Sequence, residues 1–294
     1  MPEHVNVLSR YEATGCSQRK ENSVAYKIEW QFQHCTEIEV MNRLRHPSVI
    51  EQIASIESFG EFCLVLECAF IAVQSAESEN IEVMDGGELF FQVVRLGFFS
   101  EELCRHIMLE VAGGVMYLHD TLGIMHGDIK TENLLFRRIP YYDNCDDQSA
   151  SYTRNPSEGL FLPGIGGGGV GIVKIADFGA SCVLWHRKTT KFQGTETYSA
   201  PEKLVGKFYG RAADMWALGC VLYIMLSGCQ PFQGDDRASL EASIKRGCDL
   251  SSTWWDDITE SAKDVVTYLL CKSETNRYTA TQLLCHPWVL RARV

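Results

Sequence analysis

The spacing of hydrophobic residues changes near residue 85, and this change restricts the chain to architectures with two unlike parts. Before it, short apolar runs at 24–28 and 62–67 predict β-strands. Between those runs, apolar residues of the segment 36–45 recur three apart, which is a helical spacing. After it, the patterns at 101–120 and 258–271 predict longer helices. We therefore expect an α+β protein with a small strand-rich lobe followed by a larger, mainly helical lobe.

Two segments interrupt these patterns. Residues 68–82 begin apolar, end polar and show no sustained period, whereas residues 137–171 are rich in Pro, Gly, Ser, Asp and Tyr. Both are typical of inserted loops. We therefore predict a first lobe and hinge at 1–84, which carries the insertion 68–82, and a second lobe at 85–294, which carries a loop at about 137–171.

The charge balance limits the partners of the chain. Its formal charge of −11 comes from 38 acidic and 27 basic residues, which are dispersed along the sequence. This balance disfavours nucleic acid, because binding it requires cations that neutralise phosphates. Acidic surface could attract basic peptides, or it could serve solubility alone.

Cysteine usage and hydropathy indicate the compartment. The 12 cysteines are scattered singly and include no CxxC pair, which favours reduced thiols over a disulfide framework. The longest apolar run, 215–226, is shorter than the roughly 20 residues that span a bilayer. We expect a monomer without membrane contact, located in the cytoplasm or also in the nucleus.

The segment 126–136 collects groups that phosphoryl transfer requires. It places Asp128, Lys130 and Asn133 within one loop that follows a predicted helix. A carboxylate can orient and accept the proton of an attacking hydroxyl, a cation can hold a phosphate, and an amide oxygen can coordinate magnesium. An accidental polar loop is the alternative for this segment alone.

Three further motifs follow in order, at 174–181, 199–202 and 214–223. Together with 126–136, their order and spacing resemble the eukaryotic protein kinase family over essentially the whole chain. The resemblance implies a bilobal kinase fold, the cofactors ATP and Mg²⁺, and protein substrates.

In the larger lobe, the resemblance implies roles for five residues. Asp128 would be the catalytic base and Lys130 the contact to the γ-phosphate. Asn133 and Asp177 would bind magnesium, which prefers one or two protein oxygens together with phosphate oxygens. Leu135 would form the floor of the adenine pocket.

In the smaller lobe, the resemblance implies a second set of nucleotide contacts. Lys27 would hold the α- and β-phosphates, Glu37 would pair with Lys27, and Ala25 would form a wall of the pocket. A solvent-exposed Lys–Glu pair is the alternative for these residues.

The hinge between the lobes is interrupted. Leu66 and Glu67 resemble the end of the hinge strand, and Met84 lies where the hinge continues. Because residues 68–82 lie between them, Glu67 and Glu82 compete for the same position in the family pattern.

Several motifs resemble the calcium/calmodulin-dependent group of kinases, among them the residues around Glu88, around Glu132 and at 286–289. In that group the matching glutamates bind an Arg of the substrate, which implies substrates with basic motifs. Either glutamate could instead be a solvated surface acid. The segment 160–179 resembles fungal stress-responsive kinases of this group, which implies an upstream MAP kinase as a partner.

The sequence departs from the family in three places. Residues 1–23 contain only Gly15, so the first strand and most of the ATP-clamping glycine loop are predicted to be absent. The distance of 10 positions from Lys27 to Glu37 is shorter than the family normally shows, which predicts a trimmed linker before the helix. The glycine run at 164–169 is not one of these departures: it lies in the wrong place to cradle phosphates, and we predict a flexible loop there. Gly127 replaces the Arg that usually contacts a phosphorylated activation segment. We expect Thr195 to contact Asp128 rather than to be phosphorylated.

The resemblance also implies three structural residues. Asp214 would fix the backbone of the catalytic loop, and Glu202 and Arg277 would form a buried ion pair.

Two functions from different classes follow from these observations. The first is a Ser/Thr protein kinase, and the second is a pseudokinase-like binding scaffold that the missing glycine loop would favour. A third explanation is a faulty translation, with an unremoved insertion at 68–82 and a lost first segment. Sequencing the messenger RNA across both places would test it.

Overall fold

The computed structural model describes residues 26–29, 40–58, 61–66, 84–140, 151–152, 155–185 and 187–291. Ten strands lie within these ranges: β1 Tyr26–Glu29, β2 Gln52–Ser58, β3 Glu61–Leu66, β4 Gly87–Glu88, β5 Ile124–Met125, β6 Leu134–Arg138, β7 Ser151–Tyr152, β8 Leu160–Phe161, β9 Val170–Ile175 and β10 Cys182–Val183. The α-helices of these ranges are α1 Leu89–Leu96, α2 Glu101–Met116, α3 Pro201–Leu204, α4 Ala212–Ser227, α5 Arg237–Arg246, α6 Glu260–Leu269, α7 Ala280–Leu284 and α8 Pro287–Leu290.

The first lobe contains an antiparallel sheet with the strand order β1-β3-β2. Lys27 in β1 pairs with Leu64 in β3, and β3 continues to Leu66. The strands predicted at 24–28 and 62–67 are therefore present within one or two residues. Strands predominate in the first part and helices in the second, as the bilobal kinase fold requires.

Helices α2 and α6 of the second lobe begin at side-chain caps. Ser100 accepts a hydrogen bond from the Leu103 amide at 3.2 Å, and Glu101 and Glu102 follow in the first turn of α2. Acidic residues at this end are favourable because the helix dipole is positive there. Thr259 caps α6 in the same way, through the Ala262 amide. The helices predicted at 101–120 and 258–271 are therefore confirmed.

Helix α4 forms the centre of the second lobe. Its residues from Ala213 to Ser227 are all buried, which explains why its sequence is apolar on every side. Within the part of the chain that the structure describes, no helix combines the length and apolar character that crossing a membrane requires.

A three-stranded antiparallel sheet, β4-β6-β9, connects the two loops that carry the predicted catalytic residues. Leu134 at the start of β6 pairs with Ile175 at the end of β9. The Ala176 amide then donates to the Asn133 carbonyl at 2.9 Å. Asn133 and Asp177 therefore come from adjacent strand ends.

The structure differs from the loop prediction for 137–171. Strand β6 continues to Arg138 and β9 begins at Val170, so both ends of this range belong to the sheet. Residues 155–171 pack against α1 and α2: the buried Glu158 accepts from the Ser100 amide at 2.6 Å, and Asn155 donates to the Leu96 carbonyl at 3.0 Å.

The glycine run within this segment is also packed. Residues 166–169 are buried, and the Gly168 carbonyl accepts hydrogen bonds from Gln92 and, at 3.1 Å, from Arg95. The run is therefore a folded element and not the flexible loop that its composition predicts, because partners on α1 satisfy its backbone.

Candidate active site

The loop 126–133 is held by a buried carboxylate of α4. Asp214 accepts hydrogen bonds from the His126 and Gly127 amides, both at 2.8 Å, and from His119 Nε2 at 2.8 Å. Burial acts to raise the pKa of Asp214, but His119 and the Gly127 amide outweigh it and hold that pKa below its ordinary value. The carboxylate is thus a fixed anchor for the loop backbone.

His126 links this loop to the end of β9. The Asp128 amide donates to Nδ1 at 3.3 Å, so Nδ1 is an acceptor and Nε2 carries the proton that bonds the Ala176 carbonyl at 3.1 Å. This pattern requires a neutral imidazole. Burial agrees with it, because it lowers the pKa of His126.

Asp128 lies at the centre of a set of donors. Lys130 Nζ is 2.9 Å from Oδ2, the Thr195 amide is 2.8 Å from Oδ1, and Asn133 Nδ2 is 3.3 Å from Oδ2. Burial acts to raise the pKa of Asp128, but Lys130 and Thr195 outweigh it and lower that pKa. The side chain is only 11% exposed, so the carboxylate is ionised, oriented and shielded.

The segment after β10 reaches the same carboxylate. Besides the Thr195 amide, the Thr195 hydroxyl accepts from Lys130 Nζ at 2.9 Å, which confirms the predicted contact between Thr195 and this site. Gly194, with a φ of +91°, permits the approach: a Cβ there would lie 2.6 Å from the Gly127 carbonyl oxygen and 2.9 Å from Asp128 Oδ1.

Asn133 and Asp177 present oxygens suited to a magnesium ion. Asn133 Nδ2 donates to the Asp128 carbonyl at 2.8 Å, which turns the amide oxygen to the opposite side of its Cγ atom. Asp177 has a φ of +64°, a backbone conformation that is uncommon outside glycine and concentrates at functional sites. One amide oxygen and one carboxylate match the hard oxygen ligands that magnesium prefers, so the donor set fits this ion.

Two residues predicted to line the adenine pocket, Met84 and Leu135, lie on neighbouring elements. Met84 is fully buried just before β4, and the half-buried Leu135 in β6 pairs with Glu88 in β4. Lys27 and Leu66 lie in β1 and β3, where the structure describes only the backbone. Three other predicted residues lie outside the described ranges: Ala25, Glu37 and Glu67.

Glu132 belongs to a small polar cluster beside the site. Its Oε2 accepts from the Thr131 hydroxyl at 2.9 Å and from the Tyr198 hydroxyl at 3.4 Å, and the two hydroxyls are 3.0 Å apart. The carboxylate is half-buried, so its direction is constrained while one side faces solvent.

Glu202 and Arg277 form a bidentate ion pair beneath the site. Arg277 Nη1 is 2.7 Å from Glu202 Oε1, and Arg277 Nη2 is 3.0 Å from Glu202 Oε2. The side chain of Arg277 is 0% exposed and that of Glu202 is 6% exposed. The pair joins α3, next to the segment that touches Asp128, to the C-terminal part of the lobe.

Sequence reasoning missed Lys203 and Gly194. Lys203 is buried in α3 and donates to the Gly127 carbonyl at 2.9 Å, yet a four-residue helix has no periodicity from which burial could be inferred. The close approach at Gly194 depends on a residue 67 positions earlier, and no local pattern reports it.

The comparisons with known proteins agree with this geometry. The family model described as "Protein kinase domain" matches residues 16–289. The chain is 40% identical to Serine/threonine-protein kinase srk1 of Schizosaccharomyces pombe over 265 residues, which cover 87% of this chain and 42% of that protein. It is 39% identical over 287 residues to Calcium/calmodulin-dependent protein kinase type II of the same organism, covering 97% of this chain and 51% of the relative.

A third relative, Serine/threonine-protein kinase RCK2 of Saccharomyces cerevisiae, is 39% identical over 248 residues, or 82% of this chain and 40% of its own length. The chain therefore spans about half the length or less of these relatives. The predicted resemblance to the calcium/calmodulin-dependent group and its fungal members is confirmed. Because the family model covers nearly the whole chain, the chain belongs to the protein kinase family.

Proposed function

We propose that this chain is a Ser/Thr protein kinase that transfers the γ-phosphate of ATP to a hydroxyl of a protein substrate. The observation that carries the proposal is the arrangement around Asp128, whose carboxylate is fixed by Lys130, Asn133 and the Thr195 amide. The names of the relatives support Ser/Thr specificity.

Asp128 would accept a hydrogen bond from the substrate hydroxyl. Because its pKa is lowered, it is a weak base, and its main contribution would be to aim the hydroxyl oxygen at the phosphorus and to accept the proton late. This agrees with phosphoryl transfer through a loose transition state, in which positioning and charge stabilisation supply most of the catalysis.

Lys130 would move from its contact with Asp128 toward the γ-phosphate when nucleotide binds. Its pKa is raised, since the hydrogen bond and charge of Asp128 outweigh the effect of burial, so it carries a full positive charge at neutral pH. Asn133 and Asp177 would hold a magnesium ion, and the bound ion would supply positive charge that neutralises the phosphates.

Glu132 would select substrates that carry an Arg near the target hydroxyl. The Thr131 and Tyr198 hydroxyls orient its carboxylate without neutralising it, which leaves it able to accept bidentate hydrogen bonds from a guanidinium group. Glu88, half-buried at the end of β4, is the second acidic residue proposed for this role. An upstream MAP kinase and a cytoplasmic or nuclear location stay predictions of the sequence.

The test is a radiolabelled-ATP assay with an Arg-containing Ser peptide. Asp128→Asn should lower kcat by at least about 100-fold, since it removes the charge that orients the hydroxyl. Asp257→Asn, at an exposed position of the same lobe, is the matched control and should retain parent activity. Transfer by Asp128→Asn at the parent rate would refute the role of Asp128.

Substrate selection is tested with two peptides that differ by one Arg→Ala change. The parent should prefer the Arg peptide through KM, and Glu132→Gln should reduce that preference by about tenfold, the effect of one charged hydrogen bond. Equal KM values for both peptides in the parent would remove the proposed preference.

A binding scaffold is the second candidate, because only one glycine precedes Lys27. A thermal-shift titration with Mg-ATP separates the two functions. Stabilisation by Mg-ATP without any peptide phosphorylation would favour the scaffold, whereas steady turnover would exclude it.

A further inference from the structure

We propose that Lys203 is a positioning residue that ties α3 to the catalytic loop at Gly127 and thereby fixes the peptide plane in front of Asp128. This inference rests on the proposed kinase function for its kinetic consequence. Its structural basis is a hydrogen bond of 2.9 Å from Lys203 Nζ to the Gly127 carbonyl oxygen.

Lys203 occupies an unusual place for a lysine. Its residue is 5% exposed, although lysines are almost never fully buried unless they are paired. The rings of Phe192 and Tyr209 lie 5.3 and 5.4 Å from Nζ and enclose the ammonium group. A buried charge is costly, so its retention here indicates a specific interaction rather than incidental packing.

The charged and titratable groups that face Lys203 come from several elements. They are Asp214 on α4, Asp128 in the catalytic loop, Cys182 in β10 and Glu202 on α3 itself. Burial lowers the pKa of Lys203, while these groups act in the opposite direction. The carboxylates of Asp214 and Asp128 therefore favour the charged form of Lys203.

Gly127 is held only through its backbone, because it has no side chain. Asp214 accepts from its amide, and Lys203 donates to its carbonyl. That carbonyl shares a peptide unit with the Asp128 amide, which donates to His126 Nδ1 at 3.3 Å. The peptide plane between Gly127 and Asp128 is therefore fixed at its carbonyl and at its amide, and rotation of this plane would move Asp128.

Solvent has little room to replace the lysine. The cavity beside these groups, lined by Gly127, Asp128, Thr195 and Lys203 among others, has a volume of about 10 Å³. That volume is at the lower limit for one water molecule. Loss of the Lys203 ammonium would therefore leave the buried Gly127 carbonyl without a donor of equal geometry.

The segment from Thr195 to Lys203 thus contacts two adjacent loop residues. The Thr195 amide bonds the Asp128 carboxylate, and eight residues later Lys203 bonds the Gly127 carbonyl. A displacement of about 1 Å in a reacting group can cost up to about 100-fold in rate. We expect the loss of Lys203 to act mainly on kcat.

The experiment compares Lys203→Met with the parent and with Lys245→Met, a matched control at an exposed position of α5. Methionine keeps the length and apolar stem but has no donor, and replacement of a buried charge by a hydrophobic side chain is often tolerated by the fold. Lys203→Met should lower kcat about 10- to 100-fold, with the KM for ATP changed by less than about threefold. Its Tm should fall by only a few degrees, because the buried Gly127 carbonyl loses its donor. Parent kcat in Lys203→Met would overturn the proposal.

A second measurement does not depend on activity. Hydrogen–deuterium exchange without nucleotide or peptide should be faster in Lys203→Met over residues 122–134 and 187–200, and unchanged in α4 and α6. Parent exchange rates in both segments would overturn the tether. If the parent phosphorylates no peptide, the proposed function is refuted. The exchange rates alone then test whether Lys203 holds the loop at Gly127.

Discussion

Replacement of Arg277 by Met tests how far one buried ion pair supports the second lobe. The variant removes two hydrogen bonds to Glu202 and leaves that carboxylate buried without its cation. It also removes the donors to the Ala212 carbonyl at 2.7 Å and to the Cys271 carbonyl at 3.0 Å. The methionine stem retains contact with Trp216, above whose ring the guanidinium now lies at 5.1 Å.

The expected loss of unfolding free energy is about 3–5 kcal/mol, the usual cost of removing one partner of a buried pair. We expect the upper part of that interval, because two carbonyls lose a donor as well. For a loss of about 4–5 kcal/mol, at roughly 2–4 °C for each kcal/mol, Tm should fall by roughly 8–20 °C. Urea unfolding followed by circular dichroism measures the free energy directly.

Two further variants isolate the cause. If the unpaired Glu202 carboxylate causes the loss, the double variant Glu202→Gln, Arg277→Met should have a free energy of unfolding at least about 1 kcal/mol higher than that of Arg277→Met alone. Arg45→Met is the control, because the Arg45–Glu51 pair at 3.0 Å is 59% and 47% exposed and should contribute less than about 1 kcal/mol. An Arg277→Met variant as stable as Arg45→Met would refute the reasoning.

Two other predictions concern the catalytic loop and acid stability. In the peptide assay, Gly194→Ala should lower kcat at least about tenfold, because its Cβ would lie 2.6 Å from the Gly127 carbonyl oxygen. Gly206→Ala is the control, since Gly206 also has a positive φ but no neighbour within 4 Å of its Cβ position. His126 has a lowered pKa, so its stabilising contribution is present above the unfolded value of about 6.5 and is lost as pH falls below it, by up to about 1.4 kcal/mol per pH unit. Urea unfolding at pH 7.5, 6.5 and 5.5 measures this loss together with those of His46 and His106, whose pKa values burial also lowers, and constant stability across that interval would contradict it.

The parts of the site that sequence predicted share one property: their chemistry is local. Asp128, Lys130 and Asn133 lie within six residues, so their types and spacing already indicate phosphate chemistry. Strand and helix positions followed from the hydrophobic period for a similar reason. The Glu202–Arg277 pair spans 75 positions and could be named only because the order of motifs resembles a known family.

The parts that sequence missed depend on contacts between distant segments. The composition of 155–171 predicts a loop, but distant contacts determine the fold of this segment. Glu158 accepts from the Ser100 amide, 58 positions away, and Asn155 donates to the carbonyls of Leu96, the last residue of α1, and Phe98. Lys203 is a polar residue that a hydrophobic pattern assigns to the surface. Its burial follows from the Gly127 carbonyl and the two rings that surround it.

Gly127 shows how the structure changes the meaning of a departure from the family pattern. From the sequence alone, Gly127 means that the chain lacks the Arg with which the family contacts a phosphorylated activation segment. In the structure, its φ is +83° and a Cβ would lie 2.6 Å from the Ala180 carbonyl oxygen, so the backbone there is in close contact with the residues after Asp177. On its other side, Gly194 approaches the Gly127 carbonyl, and Lys203 brings a cation to the same atom. The catalytic loop is therefore held by the Asp214 carboxylate, by the close backbone approach at Gly127 and Gly194, and by a buried lysine, all of which are contacts within the chain itself.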